Sequence, residues 1–308
     1  MNMSAVIEKS AEVLVEKENE VRLIIASILA EGHVLIEGVP GIAKTLTVKT
    51  IARLMNLDFK RIQMTPDLLP ADVLGGYVYD TKQGTFVLKK GPIFTNVLLV
   101  DEINRGSPRT QSALLEAMQE KQVSIEGQSF SLDKPFIVLA TQNPIEFEGV
   151  FPLPEAQLDR FLAKIDSTYT STEGLKKILK EIDLIEENFN SLKPLLSKED
   201  VLNAIKEVRR IRVDDAIYDY VVRLVEESRK HPAVRLGASP RAGIALVRLA
   251  KALAYIDSRR YVIPDDIKKV AKPVLSHRII IKPEHEISGV TSDKVIEDIL
   301  ARVEVPKP

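Results

Sequence analysis

The stretch from His33 to Thr45, HVLIEGVPGIAKT, constrains this chain more than any other. A short apolar run (Val34, Leu35, Ile36) leads into a glycine-rich turn, and Lys44 and Thr45 then open a helical pattern. Strand, tight turn and helix in that order read as a phosphate-binding loop. A triphosphate crowds charge onto a few oxygens, so its cradle needs inward-facing backbone N–H groups, a helix N-terminus and a cation that reaches the outer phosphates. The candidate segment is Gly38, Val39, Pro40, Gly41, Ile42, Ala43, Lys44, Thr45 and Leu46. Lys44 is the expected point charge on the β and γ phosphates, and the Thr45 hydroxyl the expected ligand of a Mg2+ bridging them. Ala43 stands where the strict pattern has glycine. That exchange costs little provided φ stays negative there.

At 308 residues the chain is long enough for an α/β domain and a smaller one, each with its own core. Basic and acidic residues nearly cancel, 43 against 44, so the overall charge advertises neither a nucleic-acid nor an acidic-membrane surface. The absence of cysteine excludes disulfides, thiolate zinc sites and cysteine nucleophiles together. The first residues, MNMSAVIEKS, carry no secretory pattern, and the apolar run Leu23 to Ala30 is too short to span a bilayer, so a cytoplasmic location without membrane insertion is expected.

Periodicity organises the rest. The spacing predicts a helix within Ala11 to Ala30, a second after the loop (Leu46 to Met55), and strands at Phe59 to Met64, Val97 to Val100, Phe136 to Ala140 and near Ala163 to Ile165. With the opening strand these make a doubly wound parallel sheet. Two hairpins interrupt it. One pairs Tyr77–Asp80 with Thr85–Leu88 around Gly84, and the other pairs Gln122–Ile125 with Ser129–Leu132 around Glu126 and Gly127. A helix spans Pro108 to Glu120 between them. From Ser171 onward every periodic segment is helical, with Ser197 and Asp200 forming a capping box. A linker is placed around Asn190 to Pro194, dividing the chain into 1–190 and 191–308.

Phosphoryl transfer to water requires a site that holds phosphates, holds a metal, positions a water and offsets developing charge. Asp101, at the end of an apolar strand, is the expected Mg2+ partner opposite Thr45, and adjacent Glu102 the expected general base. Asn143, at the tip of the strand expected next to it, is placed to orient the water, although an Asn-Pro turn is the plainer explanation of that dipeptide.

The segments GVPGIAKT, LLVDEINR, ATQNP, LPEAQLDRF and GASPRA stand in the order and spacing of AAA+ ATPases and closely resemble the MoxR subfamily. RIQMTPDLLPADVLGG and LSHRIIIKPE also look like that subfamily, and the resemblance covers essentially the whole chain. It implies an α/β AAA+ P-loop NTPase core, a parallel five-stranded sheet between helices with two inserted β-hairpins, followed by an all-α lid domain. It implies ATP and Mg2+, with Gly38 to Thr45 as Walker A, Asp101 and Glu102 as Walker B and Asn143 as the sensor of the γ phosphate. Arg160 in QLDRF looks like the arginine finger supplied to a neighbouring subunit, with Arg105 a rival for that role. Arg241 in ASPRA resembles the sensor 2 arginine. Glu16 stands where relatives usually show glycine, a departure that bears on the adenine contacts.

The resemblance further implies a ring-forming homo-oligomer, a hexamer, with chaperone-like work on protein clients that carry a von Willebrand factor A domain. A nucleic-acid motor would show lysine or arginine at its hairpin tips. The second hairpin carries Glu126 and no basic residue, whereas the first has Lys82, Lys89 and Lys90, so the balance leans away from nucleic acid. A magnesium-chelatase-type metal-insertion ATPase shares nearly every motif and stays open as an alternative.

Overall fold

The computed structural model describes residues 3–39, 41–82, 84–144 and 149–306. The chain begins with helices α1 (Met3–Ser10) and α2 (Glu18–Leu29), then strand β1 (Val34–Glu37), helix α3 (Lys44–Leu54) and strand β2 (Phe59–Gln63). The helix expected within Ala11 to Ala30 therefore starts only at Glu18. Glu16 holds a left-handed φ of 57°, which stops any helix from running through it.

Next come the short helix α4 (Pro70–Leu74) and the hairpin β3 (Gly75–Asp80) with β4 (Thr85–Lys90), in place of a full crossover helix. The hairpin is longer than the alternation suggested because Gly75 extends it. A Cβ there would lie 2.3 Å from the Lys89 carbonyl oxygen, so only glycine allows the pairing to continue. Strand β5 (Val97–Asp101), a 3-10 turn (Ile103–Arg105) and helix α5 (Pro108–Glu120) follow. The second hairpin pairs β6 (Gln122–Ile125) with β7 (Gln128–Ser131) through Glu126 and Gly127, both at positive φ, the pattern of a two-residue hairpin turn.

Strand β8 (Ile137–Gln142), the one-turn helix α6 (Glu155–Leu158) and strand β9 (Ala163–Asp166) complete the sheet, whose order is β2-β5-β8-β1-β9 with every pair parallel. Residues alternate between its faces and split the core in two. Val34, Ile36, Val97, Leu99, Ile137 and Leu139 face one cluster with α1, α2 and α3. Leu35, Leu98, Val100, Val138 and Ala140 face the other with α4, α5 and the second hairpin. Burial on both faces is why the central strands read as unbroken apolar runs.

The remaining chain is α7 (Thr172–Ser191), α8 (Lys198–Arg209), α9 (Asp215–Lys230), β10 (Val234–Leu236), α10 (Pro240–Ile256), α11 (Pro264–Leu275), β11 (Ile280–Ile281), α12 (Pro283–Ile287) and α13 (Ser292–Arg302). The capping box opens α8: the Ser197 hydroxyl accepts the Asp200 N–H at 3.1 Å, and the Asp200 carboxylate accepts the Ser197 N–H at 2.8 Å. Among these helices, β10 and β11 form a short antiparallel ribbon that helical periodicity cannot reveal. The C-terminal helices share one apolar cluster with α1, α2 and α3, so they pack behind the sheet. The Ser4 hydroxyl donates to the Ile256 carbonyl, and Arg22 pairs with Asp257 across the same seam.

Candidate active site

The carboxyl ends of β1, β5 and β8 lie side by side, which is where an open parallel sheet collects its ligand-binding groups. One cavity of about 450 Å3 opens there, bounded by the loop after β1 and by Lys44, Thr45, Asp101, Glu102, Thr141 and Asn143. Gly38, Gly41, Ile42, Ala43 and Leu46 also line it. Val39 lies outside its lining, and Pro40 lies outside the described residues.

The loop's shape explains its glycines. A Cβ on Gly38 would meet the Ser167 carbonyl oxygen at 2.4 Å, so no other residue lets β1 turn so close to the segment after β9. Gly41 sits at φ 83° with open space where a Cβ would project. Ala43 takes a left-handed φ of 61° as the residue capping α3, so the condition under which alanine would be harmless is not met. Left-handed residues set into such a turn direct successive amides toward one centre, an anion nest at a helix N-terminus. The Lys44 ammonium donates to the Gly38 carbonyl. Burial lowers its proton affinity, and the nearby carboxylates of Asp101, Glu20 and Glu102 oppose that shift.

Strand pairing places the acids. Asp101 ends β5 opposite Gln63 of β2 and is buried. Its carboxylate accepts from Arg61 Nε at 2.5 Å and from the Thr141 hydroxyl at 3.2 Å. Glu102 follows at a left-handed φ of 54°, its N–H held at 2.9 Å by Thr141 Oγ1. One of its carboxylate oxygens accepts from Gln63 Nε2 at 2.7 Å and from Arg105 at 3.3 Å. Arg105 thus engages its own chain's Glu102. Asn143, at the end of β8, is buried on the same cavity wall.

Neither periodicity nor a motif singles out Arg61, Gln63 and Thr141. Arg61 and Gln63 alternate along an edge strand, FKRIQ, with their side chains exposed. Their one signal is that β2 neighbours the strand bearing the acid pair, a fact that belongs to sheet order.

The residues fit a magnesium nucleotide. Among the described residues no group of three or more His, Asp or Glu side chains could hold a metal ion alone. A hydroxyl and a carboxylate facing a phosphate cradle is instead the sparse oxygen set that Mg2+ uses when substrate phosphates and water supply its other ligands.

Arg160 and Arg241 lie elsewhere. Both line a second cavity of about 300 Å3 beside Glu31, His33 and Asp159, and neither lines the cavity of the phosphate loop in its own chain. Asp159 ties this region together. It accepts from Arg278 Nε at 2.7 Å and from Ser239 Oγ at 3.1 Å, and lies 4.0 Å from Arg241. Ser239 caps α10 by accepting the Arg241 N–H at 3.2 Å. Placement of α10 behind the sheet therefore takes Arg241 away from its own phosphate loop. Glu16, the departure from the subfamily, uses its left-handed backbone to turn its carboxylate onto α7, where it accepts the Ser171 N–H at 2.7 Å and the Ser171 hydroxyl at 2.6 Å.

A glycine-turn phosphate loop, a strand-end acid pair and an asparagine on the adjoining strand, carried on a β2-β5-β8-β1-β9 sheet, define a P-loop ATPase of the AAA+ class. Residues 33–163 match the model of the ATPase family associated with various cellular activities (AAA), and residues 226–299 match the AAA lid domain. The chain is 46% identical over 97% of its length to YeaC, an uncharacterised protein of Bacillus subtilis (strain 168), covering 93% of that protein. It is 42% identical to chaperone MoxR1 of Mycobacterium tuberculosis, over 96% of this chain and 80% of that one. The crystal structure of a candidate ATPase from Cytophaga hutchinsonii superposes with a TM-score of 0.93 at 43% identity, over 99% of this chain and 95% of the other. The chain belongs to the MoxR-type AAA+ ATPases.

Proposed function

We propose that this AAA+ ATPase works as a cytoplasmic ring, a hexamer, in which ATP hydrolysis drives the remodelling or activation of partner proteins that carry a von Willebrand factor A domain. The observation that carries the ATPase chemistry is the convergence of Lys44, Thr45, Asp101, Glu102 and Asn143, drawn from three separate strand ends, on one cavity. A relative named as a chaperone supports the protein-directed work. The reading treats 1–190 as the nucleotide-binding unit and 191–308 as the lid.

In this mechanism the loop amides and Lys44 hold the β and γ phosphates, and Thr45 with Asp101 would hold Mg2+. When bound, that ion supplies charge neutralisation on the phosphate oxygens. Arg61 and Thr141 fix the Asp101 carboxylate in its place. Glu102 takes a proton from the attacking water, and Asn143 keeps that water in line. Arg160 and Arg241 act on the nucleotide of an adjoining chain, a role supported by their shared distance from their own loop cavity. Guanidinium groups suit it because they stay charged and present a fixed fork to phosphate.

The test is Glu102→Gln. This variant is expected to bind ATP as the parent does while turning over at least a hundredfold more slowly, on the order of a general base's contribution. It should then retain its client during affinity purification with ATP, and identification of the retained protein tests the von Willebrand factor A assignment. Parental turnover would remove Glu102 from the mechanism.

A further inference from the structure

The second cavity carries more positive charge than its acids offset. Five cationic side chains line it against two carboxylates. Glu31 is already engaged by Lys121 at 3.3 Å and by Arg209. Asp159 is engaged by Arg278 at 2.7 Å and, more distantly, by Arg241 at 4.0 Å. Among the described residues Arg160 and Arg248 have no acidic partner, yet both face this cavity.

Arg248 is not a random surface charge. It stands seven residues after Arg241 on α10, two helical turns and about 10 Å along the axis, so the two share a face. Ile244 lies between them, 54% exposed. A structural arginine in a folded chain normally finds a carboxylate or a set of carbonyls, as Arg278 does here with the carbonyls of Asp159 and Leu162, each at 3.2 Å. Arg248 has neither. Three like charges turned into one pocket repel each other unless an anion from outside enters among them. A polyphosphate is such an anion, with more oxygens than one lysine and one metal ion can neutralise.

We propose that Arg248 is a third phosphate-binding arginine, which joins Arg160 and Arg241 in gripping the polyphosphate held by the phosphate loop of an adjoining copy of this chain. This rests on the trans arrangement proposed above and adds a residue to it. The cavity, at about 300 Å3, suits phosphate groups presented from outside better than a whole nucleotide.

The experiment measures ATP turnover in mixtures of full-length chains. Lys44→Ala chains, which lack the loop cation, supply arginines, and Arg160→Ala chains supply intact loops; rescue of hydrolysis in this mixture sets the reference. When the supplying chain is Lys44→Ala with Arg248→Ala, the rescued rate is expected to fall roughly tenfold or more, the weight of one charge-assisted contact. Arg248→Lys in its place should recover only part, because an ammonium lacks the fork. Equal rescue with and without Arg248 overturns its assignment and leaves the trans arrangement standing. No rescue in the reference mixture at any ratio overturns both.

A fluorescent ATP analogue titrated onto Lys44→Ala alone separates the two sources of phosphate. Saturable binding there that disappears with Arg248→Ala would mean that the cavity takes free nucleotide, and would overturn the proposal. Arg248 is exposed and without an acidic partner, so its variants should melt where their parents do; Arg248→Gln serves as a second variant should the alanine prove unstable.

Discussion

The Gln63 amide donates to the Glu102 carboxylate across 2.7 Å, joining the end of an edge strand to the acid expected to activate water. The same oxygen accepts from Arg105 at 3.3 Å. Two donors on one oxygen hold the carboxylate in this position and occupy the oxygen that would accept a proton from water. On the proposed role of Glu102, Gln63→Leu should raise basal ATP turnover about fivefold, the worth of one net hydrogen bond, with KM for ATP unchanged. Steady-state kinetics decide it. Lowered turnover would show instead that the amide aims the carboxylate.

Ala43 holds a left-handed backbone that costs an L-residue roughly 1 kcal/mol. Ala43→Gly should therefore stabilise the fold by up to about that amount, less the extra freedom glycine gives the unfolded chain. Urea unfolding with an unchanged m-value is the check. A destabilised variant would place the alanine methyl in a packing role that outweighs its strain.

Arg278 fastens the helical part of the chain to the sheet. Its side chain is almost wholly buried, and it donates to the Asp159 carboxylate as well as to the backbone of Asp159, Phe161, Leu162 and Val274. Arg278→Met should cost about 3 kcal/mol or more, because it strands a carboxylate and several carbonyls without donors. Arg278→Lys should restore only part of that, having no fork to divide among them. Thermal unfolding reads both. ATP turnover should fall too, since Asp159 also accepts from Ser239, which caps α10 beside Arg241.

Acid should loosen the fold before the carboxylates titrate. His33 is fully buried: its Nδ1 accepts the Val138 N–H at 2.9 Å, which leaves Nε2 to donate to the Met118 carbonyl at 3.0 Å. Burial lowers its pKa from an ordinary 6.5 to about 4. The unfolded chain thus takes up a proton that the folded chain refuses. Stability from this residue is complete above pH 6.5 and is lost as the pH falls toward 4, by about 2 kcal/mol at pH 5. Burial also pushes His277 down, with the same sign. Urea midpoints measured at pH 7 and pH 5 should differ accordingly, and His33→Asn should show a shallower dependence. An unchanged slope in that variant would assign the acid sensitivity to other groups.

What the sequence determined by itself is what short spans of chain encode. The glycine turn between β1 and α3, the acid pair at the end of an apolar strand, both hairpins, the Ser197 capping box and the succession of helices after Ser171 each depend on residues within a few positions of one another, so period and turn chemistry suffice to reveal them. The tertiary structure alone decided which side of the sheet the C-terminal helices cover. That choice carried Arg241 to Arg160 and away from Lys44, and strand order set Arg61 and Gln63 on the two acids. These are consequences of strand order and of one apolar cluster shared between segments far apart in the chain, and packing across such separations leaves no periodic trace in the residues that take part.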